Sequence, residues 1–156
     1  MTVVAAEIMT SPAVTVGPEA NLAEIALWLS TKHISAVPVC KPDGTLVGIV
    51  SEGDIMRPFR ESERQRRDWW LGLIAEGEEL SQDFLNYLRR DLRTAADVMT
   101  RHVTTADEQT TVPQLAEMMV SHGVKRIPIV RDGHVLGIVS RSDIVAAIAR
   151  APAALV

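Results

Sequence analysis

Apolar residues recur along the chain with two different periods, and the order of those periods repeats. Leu22, Ile25, Ala26 and Leu29 fall at i, i+3, i+4 and i+7, the spacing of one buried helix face. Val112, Leu115, Ala116 and Met119 have the same spacing. Asn21 before Glu24, and Thr111 before Gln114, supply helix-start signals, and the second is a capping box. After each helix comes a run that is apolar throughout, 36–40 and 127–130, as expected of a buried strand. Pro38 and Pro128 cannot donate to a sheet ladder, so each belongs at a strand start, an edge or a break. The stretches KPDGT and RDGH carry an Asp-Gly hairpin signal and lead into second strands at 45–50 and 134–139. A helix then opens at Ser51 or Ser140, and a short strand, 14–16 or 103–105, precedes each first helix.

Each half thus reads β-α-β-β-α, and the halves are copies. Ala5–Ile55 aligns with Ala95–Ile144 at an offset of 90 or 89 residues, with roughly a third of positions identical. AAEIMT matches AADVMT, VTV at 14–16 matches VTT at 103–105, VPV matches IPI, and LVGIVSEGDI matches VLGIVSRSDI. A three-stranded sheet with helices on one side leaves an apolar face that one copy buries poorly. Two copies packed sheet to sheet would cover it, with a pseudo-two-fold axis and two equivalent clefts. The expected class is α/β of the α+β kind. It has a first copy at 1–56, an insert at 57–94 and a second copy at 95–156, the two copies forming one module.

The insert has no counterpart in the repeat. It opens on Arg57, Arg60, Arg64, Arg66 and Arg67 interspersed with Glu61 and Glu63, and two helices are expected at about 62–75 and 80–91. Trp69, Trp70, Leu73 and Ile74 form one apolar stripe, and Leu80, Phe84, Leu85 and Leu88 another. Five of the six aromatic residues lie here, which favours a subunit contact through Trp69 and Trp70.

Composition removes several classes of function. With 156 residues, 47% of them hydrophobic and 23% charged, the chain is an ordinary globular one. Its net charge of −4 argues against a general nucleic-acid binder, which shows a basic face. Cys40 is the single cysteine, so no internal disulfide forms, and its alignment with Val130 reads as a small buried hydrophobe. Met1 to Thr10 lacks the features of a signal peptide, and no stretch reaches membrane-spanning length, so the cytoplasm is expected, with no membrane partner. His33, His102, His122 and His134 are scattered without metal-ligand spacing. No nucleophile elbow, P-loop or clustered His/Cys/Asp set appears, so no catalytic residue and no enzyme activity are expected.

The repeated chemistry lies in G-I-V-S-x-x-D-I, Gly48–Ile55 and Gly137–Ile144. A buried strand ends, a serine opens a helix, and an aspartate follows three residues later. Helix N-termini offer free N–H groups and partial positive charge to a phosphate, to which the serine hydroxyl can also donate. A carboxylate there can accept from two ribose hydroxyls. The same Ser-x-x-Asp spacing is also a capping box, required for nothing more than starting a helix.

Taken together, Met-Thr before a Val-Thr strand, the hydrophobic-Pro-Val element and GIVSxxDI resemble the CBS motif, and their duplication resembles a Bateman module. The likeness covers about 5–56 and 95–150, and the insert is similar to that of some bacterial CBS proteins of a stand-alone type. The resemblance implies a regulatory ligand of the AMP, ADP or ATP type, no required cofactor, and a tendency to homodimerise. Asp54 and Asp143 match ribose-binding aspartates, and Ser51 and Ser140 the phosphate position. Thr15, Val16, Thr104 and Thr105 match residues lining the base pocket. Ala36, Val37 and Pro38, with Arg126, Ile127 and Pro128, match the segment flanking the adenine.

The copies differ in charge. Lys125 and Arg126 replace Ser35 and Ala36, and Arg141 replaces Glu52, so phosphorylated ligand is expected to prefer the second copy. The leading expectation is an adenylate sensor acting through shape or dimer change on an unknown effector protein. The alternative is a structural or partner-binding module without a ligand.

Overall fold

The computed structural model describes residues 2–56 and 93–155. The expected insert helices, the arginine run and Trp69/Trp70 lie outside the described residues. The described elements are α1 (Ala5–Ile8), α2 (Leu22–Thr31), β1 (Ala36–Cys40), β2 (Leu46–Ser51) and α3 (Glu52–Met56), followed by α4 (Ala95–Val98), α5 (Val112–His122), β3 (Arg126–Arg131), β4 (His134–Ser140) and α6 (Arg141–Arg150). A 3₁₀ turn, Pro152–Leu155, follows α6. The class is α+β, as expected.

Local sequence explains the long helices and the hairpins. Asn21 Oδ1 accepts from the Glu24 N–H at 2.9 Å, and Leu22, Ile25, Ala26 and Leu29 are buried on the inward face of α2. Thr111 and Gln114 close a reciprocal box at the start of α5, whose Val112, Leu115 and Met119 are buried. Leu115 alone, fully buried, contributes about 1.5–3 kcal/mol from its removal from water. Gly123 ends α5 at φ +64°, in the left-handed region that a side chain resists; His33 holds the corresponding place after α2 at φ +52°. Between β3 and β4 stands a two-residue turn, Asp132 at φ +51° and Gly133 at φ +81°, the mirror-image turn that the Asp-Gly pair favours. In the first hairpin Asp43 accepts from the Thr45 N–H at 2.9 Å, and that bond holds its carboxyl below the ordinary range.

The sheets are smaller than the sequence pattern promised. β1 pairs with β2 and β3 with β4, each a two-stranded sheet. The expected strands at 14–16 and 103–105 do not form. In their place single parallel bridges join Val16 to Val39 and Ala106 to Ile129. Val16 N–H donates to Pro38 O at 3.1 Å, and Ala106 N–H to Pro128 O at 3.2 Å. Ala106, not Thr105, is therefore the partner of Val16, and the offset is 90 here. It becomes 89 only beyond the hairpin turns, one of which is a residue shorter.

The chain divides into two compact units, and each draws on both copies. One contains Met1–Thr15, Cys40–Val47 and Arg101–Val156; the other contains Val16–Val39 and Gly48–Thr100. The arm that opens the first copy thus packs with the second hairpin. Val112 N–H donates to Val3 O at 3.0 Å and Ala5 N–H to Thr110 O at 2.8 Å. Thr10 and Ile138 then exchange both backbone bonds along the edge of β4, at 2.9 and 3.1 Å. Buried Ala5 joins Val112, Leu115, Ile127, Ile129, Val139 and Ile144 in this unit's core. The arm that opens the second copy does the same in the other unit. Ala95 N–H donates to Ala20 O at 2.8 Å, and Thr100 and Ile49 exchange bonds at 2.9 and 3.0 Å on the edge of β2. Asp97 Oδ2 steadies that arm by accepting from Thr94 N–H at 2.9 Å.

These crossings explain the glycine of each repeated strand. A Cβ on Gly137 would lie 2.8 Å from Thr10 O and 2.7 Å from Met9 Sδ, and one on Gly48 would meet Met99 Sδ and lie 3.0 Å from Thr100 O. The Met-Thr pair of one copy can pass over the strand of the other only where no side chain stands. Gly137→Ala and Gly48→Ala are each expected to destabilise the protein by about 1–3 kcal/mol through overpacking, read as a shift in urea midpoint. Gly53→Ala, where a Cβ would sit at an ordinary 3.6 Å from Ser51 Oγ, should be neutral or stabilising in the same assay. Cys40 is buried and burial pushes its thiol pKa up. Ellman's reagent should therefore label it only as fast as the protein unfolds.

Candidate functional site

Each unit gathers most of the candidate residues of one copy. In the first copy, the Val16–Pro38 bond brings residue 16 against β1, whose Ala36, Val37 and Pro38 are buried. Glu52 N–H donates to Ser35 O at 3.0 Å, which closes the far end of β1 onto the start of α3. Ser51 and Asp54 stand at that junction. Thr15, exposed, immediately precedes Val16 but falls in the other compact unit.

The second copy repeats the arrangement. Ala106 is bonded on both sides, to Pro128 O and from Val130 N–H at 2.9 Å, with Thr104 and Thr105 half-buried just before it. Ile127 and Pro128 are buried, and Arg126 is half-buried. Arg141 N–H donates to Lys125 O at 3.0 Å, so the exposed Lys125 and Arg141 flank the opening of α6 together. Sequence comparison aligned these cations with Ser35 and Glu52 but gave no sign that the two positions touch. Ala106 escaped the sequence reading altogether, because the two-threonine match at 103–105 masked the true equivalence.

The Ser-x-x-Asp pairs are closed capping boxes in both copies. Asp143 Oδ2 accepts from Ser140 N–H at 2.8 Å and from Ser140 Oγ at 3.0 Å, and Ser140 Oγ accepts from Asp143 N–H at 3.3 Å. Asp54 and Ser51 form the same three bonds at 2.9, 3.1 and 3.3 Å. In the ligand-free molecule each serine hydroxyl donates to its aspartate, so donation to a phosphate would exchange that bond for another. The carboxylates remain usable in unequal degree. Asp143 is half-buried, and its Oδ1 takes no hydrogen bond from the described residues. Asp54 is only 4% exposed.

Other chemistry is scarce. Among the described residues no group of three or more His, Cys, Asp or Glu could hold a metal, and no helix is long and apolar enough to cross a membrane. An open groove of about 500 Å³ runs past Asp107, Gln109, Thr110, Gln114, Glu117 and Met118. It contains none of the candidate residues, and its two carboxylates disfavour an anionic guest.

Comparison with known proteins agrees with the repeat. The family model described as "CBS domain" matches residues 4–61 and 95–150. An uncharacterized protein of Methanocaldococcus jannaschii, MJ1426, is 33% identical over 153 residues, covering 91% of this chain and 89% of its own length. Among solved structures, the CBS domain pair of MJ0100 in complex with 5-methylthioadenosine and S-adenosyl-L-methionine superposes with a TM-score of 0.73 at 24% identity, over 96% of this chain and 98% of that one. CBSX2, a CBS-pair protein of Arabidopsis thaliana, in complex with AMP gives a TM-score of 0.70 at 22% identity, over 94% and 96%. At those identities the two structures speak for the fold.

The double duty of the boxes has a measurable consequence. Ser140→Ala removes the cap of a ten-residue helix and is expected to cost about 0.5–2 kcal/mol in the ligand-free protein, read by urea denaturation. Any loss of ligand affinity in this variant or in Asp143→Ala is to be read after that cost is measured.

Proposed function

The chain belongs to the CBS-domain family and carries two of these domains, and on that premise we propose that it is a regulatory module that binds an adenosine-type ligand without transforming it. The observation that carries this reading is the second copy's junction. There a half-buried Asp143 keeps one carboxylate oxygen uncommitted in the first turn of α6, the helix at whose opening the Arg141 N–H donates to Lys125 O. Asp143 Oδ1 would grip two adjacent ribose hydroxyls while Oδ2 continues to cap the helix. The first N–H groups of α6, with Lys125, Arg126 and Arg141, would meet a phosphate. Thr104, Thr105, Ala106, Ile127 and Pro128 would wall the base. In the first copy Thr15, Val16, Ala36, Val37, Pro38 and Asp54 would play the matching parts, with Ser51 closing the box on Asp54 and Glu52 at the place of Arg141.

AMP in CBSX2 and the adenosyl ligands of MJ0100 share a ribose and an adenine, the parts for which these backbone walls and carboxylates are suited. AMP, ADP or ATP fits the cationic flank of the second copy best. The output would pass to a separate effector or to a second copy of the chain in a cytoplasmic homodimer. Leu27 at 61% and Trp28 at 42% exposure offer apolar contact area on α2 for such a partner. A second reading, a partner-binding module without ligand, draws on the closed boxes and the burial of Asp54.

Titration calorimetry with AMP, ADP, ATP and adenosine separates the two. Asp143→Ala is expected to weaken every one of these ligands. Arg141→Ala should weaken the phosphorylated ones alone, by about tenfold or more for a charge-assisted bond of about 1.5–3 kcal/mol, leaving adenosine unchanged. Absence of binding by all four would leave the partner-binding reading standing and end this one.

A further inference from the structure

Both hairpins turn on an Asp-Gly pair, and the two pairs are held differently. In the first, Asp43 Oδ1 accepts from the Thr45 N–H at 2.9 Å, and the half-buried Gly44 gives its own N–H to Lys41 O at 2.9 Å. In the second, Asp132, Gly133 and His134 are all exposed. Among the described residues nothing donates to the Asp132 carboxylate, and the Gly133 N–H has no acceptor. The His134 ring donates from Nδ1 to Asp132 O at 3.0 Å, the carbonyl of the same peptide that carries the Gly133 nitrogen. Asp132 also stands at φ +51°, in the left-handed region that a side chain resists.

An aspartate followed by glycine can close on itself when its carboxyl and the next nitrogen are both free, because no Cβ on the glycine hinders the attack. The backbone nitrogen bonds to the carboxyl carbon, and the carboxyl hydroxyl leaves with the amide proton as water. The five-membered imide then takes up water at one of its two carbonyls. Opening at the side-chain carbonyl restores aspartate; opening at the main-chain carbonyl leaves the backbone running through the former side chain, one methylene longer. A hydrogen bond to the peptide carbonyl makes its N–H a better acid, which is the service His134 renders to Gly133. Asp43 is protected three times over. Its nitrogen partner is tied to Lys41, its carboxylate is tied to Thr45, and that bond holds the carboxyl below its ordinary range and so depletes the uncharged form that reacts. We infer that Asp132, and not Asp43, is a site of spontaneous isoaspartate formation. The turn is also a seam between the hairpins, since Gly133 O accepts from the Leu46 N–H at 2.9 Å and His134 bridges Thr45. An added methylene in a two-residue turn alters the register that the turn sets and loosens this seam.

The test ages the full chain in warm, mildly acidic buffer made with heavy-oxygen water, which leaves one labelled oxygen at each imide that reopens. The peptides holding Asp132 and Asp43 are followed by mass spectrometry, with fragmentation that tells isoaspartate from aspartate. In the folded protein, label and isoaspartate are expected to enter the Asp132 peptide severalfold faster than the Asp43 peptide. In concentrated urea, where the bonds that distinguish the two turns are gone, the rates should converge. Equal rates in the folded protein would overturn the assignment, as would an unlabelled Asp132 over a time in which the unfolded chain is labelled there. His134→Ala is expected to slow labelling at Asp132, and an unchanged rate counts against the histidine's part. Amide hydrogen exchange at Leu46 reads the seam. It should quicken on ageing in the wild type and stay constant in Asp132→Glu, whose larger ring closes slowly; an aged, converted wild type with unchanged exchange at Leu46 counts against the loosening.

Discussion

The close passage of a Met-Thr pair over a glycine is the contact on which the arrangement depends. It occurs twice, Met9-Thr10 over Gly137 and Met99-Thr100 over Gly48, and each time it joins residues from different copies of the repeat. The backbone exchange beside it gives the outer edge of β4 or β2 a partner and so satisfies polar groups that would otherwise need water. It also fixes the height of the strand whose end carries the serine cap. An alanine at either glycine would force the arm away, and the cap's position would then be set by the hairpin alone. The motif's glycine is thus a packing requirement, although the sequence shows it directly beside the residues that look like ligand chemistry.

The parts of this fold that could be read from sequence are those with a local cause. Apolar spacing located α2 and α5, the Asp-Gly pairs located both hairpins, and the unbroken apolar runs located β1 and β3, including the burial of Cys40. What could not be read has a long-range cause. A single-residue bridge such as Val16–Val39 has no period to detect, so the short segments ahead of α2 and α5 looked like strands by composition alone. Nothing in AAEIMT or AADVMT says that the arm leaves its own copy, since its partners lie over a hundred residues away in one case and at least fifty in the other. The register error had a plainer source. Two threonines at 104 and 105 imitate Val14-Thr15-Val16 one place early, and only the bond from Ala106 to Pro128 shows which residue occupies the bridge.

At the site, the two meanings of Ser-x-x-Asp turn out to be compatible. Capping consumes one carboxylate oxygen and the serine proton, and a second oxygen is left over at Asp143. In the proposed function the ribose would be met by that oxygen in the second copy, and the phosphate by the helix N–H groups and the flanking cations. The backbone bond from Arg141 to Lys125 puts both residues at one helix opening. Their counterparts, Glu52 and Ser35, are joined by the same backbone bond, so the frame is shared and only the side chains set the charge.

A carboxylate that both caps a helix and receives a ligand links stability to occupancy. Ligand binding stabilises the folded state in proportion to the logarithm of its concentration over the dissociation constant. That gain is largest when the ligand leaves the internal bonds in place. A ligand that had to pull Asp143 off Ser140 would exchange one set of hydrogen bonds for another, and the net return of such an exchange is small. Contact through Oδ1, as proposed, would avoid this. The box would stay closed, the helix would stay capped, and the new bonds would add to those already formed. The same closed box holds the carboxylate in one orientation before any ligand arrives, which reduces the ordering cost of binding. In the proposed function the cap would present the aspartate, so that helix start and ligand grip need not compete for the same atoms.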